Sequence, residues 1–159
     1  MIISSTFHVP RSKLAARNFE RVVGHLKWAA SIALLIFSCS NRGTKYDQYY
    51  AQGQMLYEKN CSNCHQKNGK GLRLVYPPLA PSDYLDKNFT TSLCIMKYGK
   101  QGEIIVNGKK FNKSMPGVPS LTELEIAEIG TYLYNSWGRE RGVVEIQEVK
   151  KALDECGPK

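Results

Sequence analysis

Apolar and polar positions alternate at helical intervals in several stretches of the chain. Over Tyr49–Lys59 good helix formers carry an amphipathic pattern, with Gly53, Tyr57 and Cys61 spaced four apart and so on one face. A second helix begins at Leu121-Thr122: Thr122 and Glu125 have the spacing of a capping box, and Ile126, Ile129, Tyr132 and Leu133 form its apolar stripe. Ser92–Gly99 reads as a helix that stops at its glycine, which makes Met96 a core residue; Met55, helical and four before Lys59, reads as core too. Further on, Ile146, Val149 and Leu153 give the segment Val143–Leu153 a 3–4 spacing, and a short extra helix is predicted there. The predicted class is all-α.

One apolar run has no such period. Trp28–Ser38 is apolar or small throughout, shorter than the roughly 20 residues that span a bilayer. With Arg21, His25 and Lys27 before it, it fits the apolar region of a signal peptide. Small Ser38 then precedes Cys39, which resembles a bacterial lipobox, where the cysteine is lipidated and becomes the new N-terminus. Phe37 departs from that pattern, and an ordinary signal peptide or an uncleaved anchor remains the other reading. Residues 1–20 make the basic region unusually long; a start at Val22 or Val23 would leave a signal of normal shape. Residues 40–48 are polar and read as a tether. The chain is therefore divided into a lipoprotein-type signal at 1–38, a lipidated tether at 39–46, a folded domain at 47–137 and an extension with a short helix at 138–159.

With 159 residues the chain is long enough for one domain. Its net charge of +8 invites a nucleic-acid reading, but the charge is divided: residues 1–38 hold five Lys/Arg and one Glu, and residues 39–159 hold 17 Lys/Arg against 13 Asp/Glu. Half the excess belongs to the segment expected to be removed. No helix-turn-helix or RNA-recognition pattern accompanies the remainder, so nucleic acid is excluded as a partner.

The chemistry centres on Cys61-Ser62-Asn63-Cys64-His65, the C-x-x-C-H signature of covalent haem c attachment. Thiols three residues apart share one helical turn and can bond to the two vinyl-derived carbons on one side of a porphyrin. His65 then follows directly, placed to ligate the iron through a ring nitrogen. Structural zinc would want a second C-x-x-C or paired histidines, and a redox dithiol a strand–helix–strand setting. Cys94 and Cys156 are lone, and the motif follows a helical segment, so haem is the favoured cofactor. Attachment of haem c outside the cytoplasm also agrees with the export signal.

Gly53-x-x-x-Tyr57-x-x-x-Cys61, the C-x-x-C-H motif, Pro77-Pro78-Leu79, Met115-Pro116 and the helix bearing Ile129 and Tyr132 together resemble class I cytochromes c, over residues 47–137. The closest likeness is to the small bacterial monohaem group. The resemblance implies a fold in which N- and C-terminal helices cross, with Gly53 allowing close approach, around one covalently bound haem. It implies a soft second axial ligand near fifty residues past the motif, a place occupied by Met115 in Lys113-Ser114-Met115-Pro116-Gly117, with Met96 as its rival. It also gives Pro77 a carbonyl that accepts from the His65 ring N–H, and sets Leu79 against the haem; a plain turn before Ser82–Leu85 is the bland alternative. The chain has no histidine after His65, so ligation by two histidines would need His8 or His25 from the signal and is excluded.

Cys94 and Cys156 remain unassigned. Two exported cysteines favour a disulfide, which would tie the tail back onto the domain; two free thiols are the alternative. Residues 66–113 hold nine cations (Lys67, Lys70, Arg73, Lys87, Lys97, Lys100, Lys109, Lys110 and Lys113) against three acids. They read either as a basic ring that steers an acidic partner or as a solvated face. The function expected is one-electron transfer by a His65/Met115-ligated haem iron in an exported respiratory or redox chain, with redox proteins as donor and acceptor. The chain would be a monomer or a subunit of a redox complex, lipid-anchored on the periplasmic side of a bacterial membrane. No catalytic residue is expected. The competing class is the electron-accepting subunit of an oxidoreductase, or a peroxidase or gas sensor, which would need an open iron site.

Overall fold

A computed structural model describes residues 42–157. Cys39 and the expected signal at 1–38 lie outside the described residues. Six helices and one hairpin follow in order: α1 (Arg42–Asn60), α2 (Ser62–His65), α3 (Asp83–Lys87), α4 (Phe89–Tyr98), β1 (Ile104–Val106), β2 (Lys109–Phe111), α5 (Glu123–Leu133) and α6 (Ile146–Cys156).

Helices α1 and α5 cross at Gly53. A side chain there would place its Cβ 2.0 Å from the Glu128 carbonyl oxygen and 2.9 Å from Tyr132 Cβ, so only glycine permits the approach. Around the crossing Tyr50, Tyr57 and Trp137 surround the Tyr132 ring at centroid distances of 5.2, 5.3 and 5.6 Å, Tyr50 and Trp137 edge-to-face and Tyr57 tilted. Helix α5 opens with the Thr122–Glu125 capping box and buries Ile126, Ile129, Tyr132 and Leu133.

Several boundaries differ from the sequence reading. The tether expected at 39–46 is helical from Arg42, because the polar residues there have partners: Lys45 pairs with Glu145 at 2.7 Å, and the Tyr46 ring stacks on Tyr50. Met55 is exposed rather than core, two positions off the Gly53–Tyr57 face. The 138–159 segment is not an appendage. Val144, Val149 and Ala152 are buried in the main core, and α6 packs on α4 and α5. The small Gly130 makes room, its Cβ position lying 3.3 Å from Leu93 and 3.4 Å from Val144. Helix α6 starts at Ile146, the first residue of the apolar spacing, where the Glu145 N–H is capped by the Glu148 carboxylate at 3.0 Å. A disulfide joins Cys94 of α4 to Cys156 at the end of α6.

The hairpin is an addition to the helical class. Ile104 pairs with Phe111 and Val106 with Lys109 across the two-residue turn Asn107-Gly108, both at positive φ (51° and 73°). That is the turn an Asn-Gly pair favours between twisted strands. Asn107 also docks the turn onto the start of α3: its N–H donates to Asp83 at 2.6 Å and its side-chain amide to the Pro81 carbonyl at 2.8 Å.

Candidate functional site

The last turn of α1 runs directly into the cysteine motif. Cys61 N–H donates to the Tyr57 carbonyl at 2.8 Å, and the Cys61 carbonyl accepts from His65 N–H at 3.0 Å, so both thiols and the imidazole share one tight turn. His65 is buried, 6 % exposed. Its Nδ1 lies 3.0 Å from the Pro77 carbonyl oxygen, which can only accept. Nδ1 therefore carries the proton, and Nε2 is left with a free lone pair, the arrangement that orients a metal-ligating histidine. Burial pulls the imidazole below its ordinary pKa, with the Pro77 bond acting in the opposite direction, which favours the neutral, ligating form.

The chain between His65 and Pro77 is shaped to deliver that carbonyl. Gly71 donates to the His65 carbonyl at 2.9 Å with φ at +65°, and a Cβ there would meet the Tyr76 and Pro77 carbonyl oxygens at 2.3 and 2.7 Å. The Gly69 carbonyl accepts from Leu79 at 2.7 Å and Ala80 at 3.0 Å. From beyond α5, the Arg139 guanidinium donates to the Leu79 carbonyl at 2.9 Å and pairs with Asp86.

Met115 reaches the same region from fifty residues further along. It is paired through its backbone with Lys100, N–H to carbonyl both ways at 2.9 Å. Gly99 and Gly117 let these backbones touch, since a Cβ on either would lie 2.6 Å or less from main-chain atoms of the other segment.

Cys61, Cys64, His65, Pro77, Leu79 and Met115 all line one cavity of about 990 Å³, counted out to its open mouth. Leu85, Ile95, Val106, Phe111 and Ile129 make it strongly apolar, and Met96 lines it as well as belonging to the core. The donor chemistry fits haem c: two thiols at attachment spacing, a neutral imidazole with a free nitrogen, soft thioethers and apolar walls. Among the described residues no buried side-chain nitrogen or oxygen lacks a partner, so the cavity makes no unmet polar demand. The rival chemistries fit less well. Among the described residues no three His, Cys, Asp or Glu side chains gather as a metal site. Burial, with Cys64 alongside, pushes the Cys61 thiol up to about 11, the opposite of a reactive dithiol.

Sequence reasoning missed the hairpin's contribution of Ile104, Val106 and Phe111 to the cavity. The signal was Asn107-Gly108 between two short β-prone runs. The basic residues are also less uniform than a ring. Lys67, Lys87 and Lys110 pair with Glu58, Asp83 and Glu103, Lys97 is bound to backbone carbonyls, and Lys100 and Lys113 line the cavity itself.

The sequence model of the Cytochrome c family matches residues 50–137, the span from α1 through α5 that encloses this cavity. The chain belongs to that family: it is a class I c-type cytochrome, an electron carrier that binds haem c covalently. It is 34 % identical over 110 residues to cytochrome c-552 of Thermus thermophilus, covering 64 % of this chain and 83 % of the relative. It is 30 % identical over 110 residues to the cytochrome c subunit of the quinone alcohol dehydrogenase of Gluconacetobacter polyoxogenes, and 28 % identical over 103 residues to that of Gluconobacter oxydans. There it spans 67 % and 62 % of this chain but only 23 % and 21 % of those longer proteins.

Proposed function

We propose that the chain carries single electrons through one haem attached at Cys61 and Cys64, with His65 and Met115 as axial ligands. The observation that carries the reading is that these four side chains, separated by up to fifty-four residues, line a single apolar cavity. When bound, haem c supplies a one-electron ferric–ferrous couple. The residues of the chain bind and tune it. Pro77 holds the His65 proton on Nδ1, Leu79 and the hairpin exclude water, and Met115 closes the second axial position to small ligands.

The Met115 thioether at the cavity supports a carrier over a peroxidase or sensor, either of which needs an open iron site. Its partners are then other redox proteins. Lys100 and Lys113 at the cavity, with exposed Lys70 and Arg73 in the loop after the motif, favour an acidic-faced one. The relatives named as alcohol dehydrogenase subunits support a place beside a dehydrogenase as well as a free carrier. Export to the periplasmic side, with a lipid on Cys39, is supported by the basic–apolar–small order of residues 21–39 and by the need to attach haem c outside the cytoplasm.

The test is a visible spectrum of the holoprotein, oxidised, then reduced, then exposed to carbon monoxide. A c-type reduced spectrum, a far-red sulfur–iron band when oxidised and no response to carbon monoxide are expected. A carbon monoxide shift in the unsubstituted protein would overturn closed His65/Met115 ligation and favour the sensor or enzyme reading.

A further inference from the structure

The segment that carries Met115 is poor in ways to hold itself. Pro116 and Pro119 have no N–H, so Met115–Leu121 makes no regular ladder; apart from Leu121 N–H to the Val118 carbonyl at 3.1 Å, its carbonyls find donors elsewhere. Its ties run to the end of α4. Val118 N–H reaches back to the Met96 carbonyl at 2.9 Å, while the Lys97 ammonium donates to the Pro119 carbonyl at 2.7 Å and also to the Leu121 carbonyl. Two of the three ammonium protons are thus spent on the carbonyls of Pro119 and Leu121, just before the helix α5 N-cap at Thr122. The other supports are the two-way backbone pairing of Met115 with Lys100 at 2.9 Å and the close approach of Gly99 to Gly117.

We propose that Lys97 is a positioning residue for the iron's second ligand: it straps the Met115–Leu121 segment to α4, and so sets how firmly the Met115 sulfur is presented to the haem. This rests on Met115 being that ligand. Of the nine cations in residues 66–113, Lys97 is thereby assigned to holding the Met115 segment rather than to a docking face. The interaction is charge-assisted, and of its two acceptors the Leu121 carbonyl is the part-buried one, where loss of the donor counts most.

The experiment compares the unsubstituted holoprotein with Lys97→Met, which keeps the aliphatic stem without donors, and Lys97→Arg, which keeps charge and donors. The readouts are the far-red band of the ferric protein and the affinity of the ferric iron for added imidazole, which binds only by displacing the native sixth ligand. Lys97→Met is expected to weaken the band and raise imidazole affinity by roughly tenfold or more, the scale of one charge-assisted hydrogen bond. Lys97→Arg is expected to restore most of both, which separates strapping from the mere loss of a nearby charge. An unchanged band and unchanged imidazole affinity in Lys97→Met, even with lower thermal stability, would overturn the proposal and leave Lys97 a structural residue. If Lys97→Met yields no holoprotein, Lys97→Leu, which also lacks a donor, carries the same test, with the same outcomes. An unsubstituted protein that itself lacks the band and takes up imidazole freely would instead mean that Met115 is not the ligand, and both readings would fall together.

Discussion

His65 and Met115 come to the same cavity by different means. His65 lies in a tight turn at the end of a long helix, and nearly everything that fixes its ring is close in sequence: the Cys61 carbonyl, the Gly69–Gly71 turn and the Pro77 carbonyl all fall within residues 61–77. Met115 sits in a proline-interrupted loop that is held from elsewhere, by Lys97, Gly99 and Lys100 at the end of α4. Helix α4 in turn is joined through Cys94 to the far end of the chain. His65 is buried, whereas Met115 is partly exposed. On the proposed ligation, one ligand is therefore set by local backbone geometry and the other by tertiary supports. Damage to the first should cost the haem, and damage to the second should cost only the sixth ligand.

The sharpest break is His65→Ala. Without its imidazole the motif keeps its thiols but loses the local ligand, and purified protein is expected to contain little or no haem by pyridine haemochrome assay. Next is removal of the disulfide through paired Cys94→Ala and Cys156→Ala substitutions. A bridge across a sequence separation of 62 contributes about 4 kcal/mol on the chain-entropy model, to be read from the denaturant midpoint of the holoprotein. The far-red band should weaken well before the haem environment around His65 changes, since α6 bears on α4. Equal loss on both sides would erase the distinction drawn between them.

Glycine substitutions sharpen the comparison at smaller cost. Gly71→Ala puts a Cβ against the Pro77 carbonyl at positive φ, and Gly117→Ala puts one 2.5 Å from Gly99 N. Each is expected to destabilise by about 1–3 kcal/mol in thermal or denaturant unfolding. Gly71→Ala should leave the sulfur–iron band in place, while Gly117→Ala should diminish it.

The smallest effect concerns α6. Its Glu148 carboxyl is held below the usual carboxylate range, chiefly by its hydrogen bond with Arg141 and also by the Glu145 N–H. A depressed carboxylate adds stability above its unfolded pKa and loses it as pH falls through the lower folded value. Glu148→Gln is therefore expected to destabilise slightly at neutral pH and to flatten the acid limb of stability below about pH 4.3, measured by denaturant unfolding across pH. An unaltered acid limb would mean that the Arg141–Glu148 contact does not stabilise α6.

The same contrast explains what could be read in the sequence. The His65 side was legible because its determinants are close together: C-x-x-C-H and Pro77 within seventeen residues. Helix α5 was legible from Thr122 to Leu133 because its capping box and apolar stripe lie in one window. The Met115 side was legible only as a candidate residue. Nothing in Lys97's own neighbourhood points to carbonyls twenty-two and twenty-four residues ahead. Residues 42–46 look like a polar tether because the partners that make them helical, Glu145 among them, come from the far end of the chain. The hairpin is the exception: Asn107-Gly108 was a local signal, overlooked because flanking strands of three residues are too short to show an alternation.

Met96 lines the cavity too, so the most direct check of the account is to ask which methionine sulfur the iron holds. The measurement is proton NMR of the reduced, diamagnetic holoprotein with labelled methionine methyl groups, in the unsubstituted chain, Met115→Leu and Met96→Leu. One methyl should be shifted far upfield by the porphyrin ring current, absent from Met115→Leu and retained in Met96→Leu. A shifted methyl that survives Met115→Leu and vanishes in Met96→Leu, or no shifted methyl in any of the three, would contradict it.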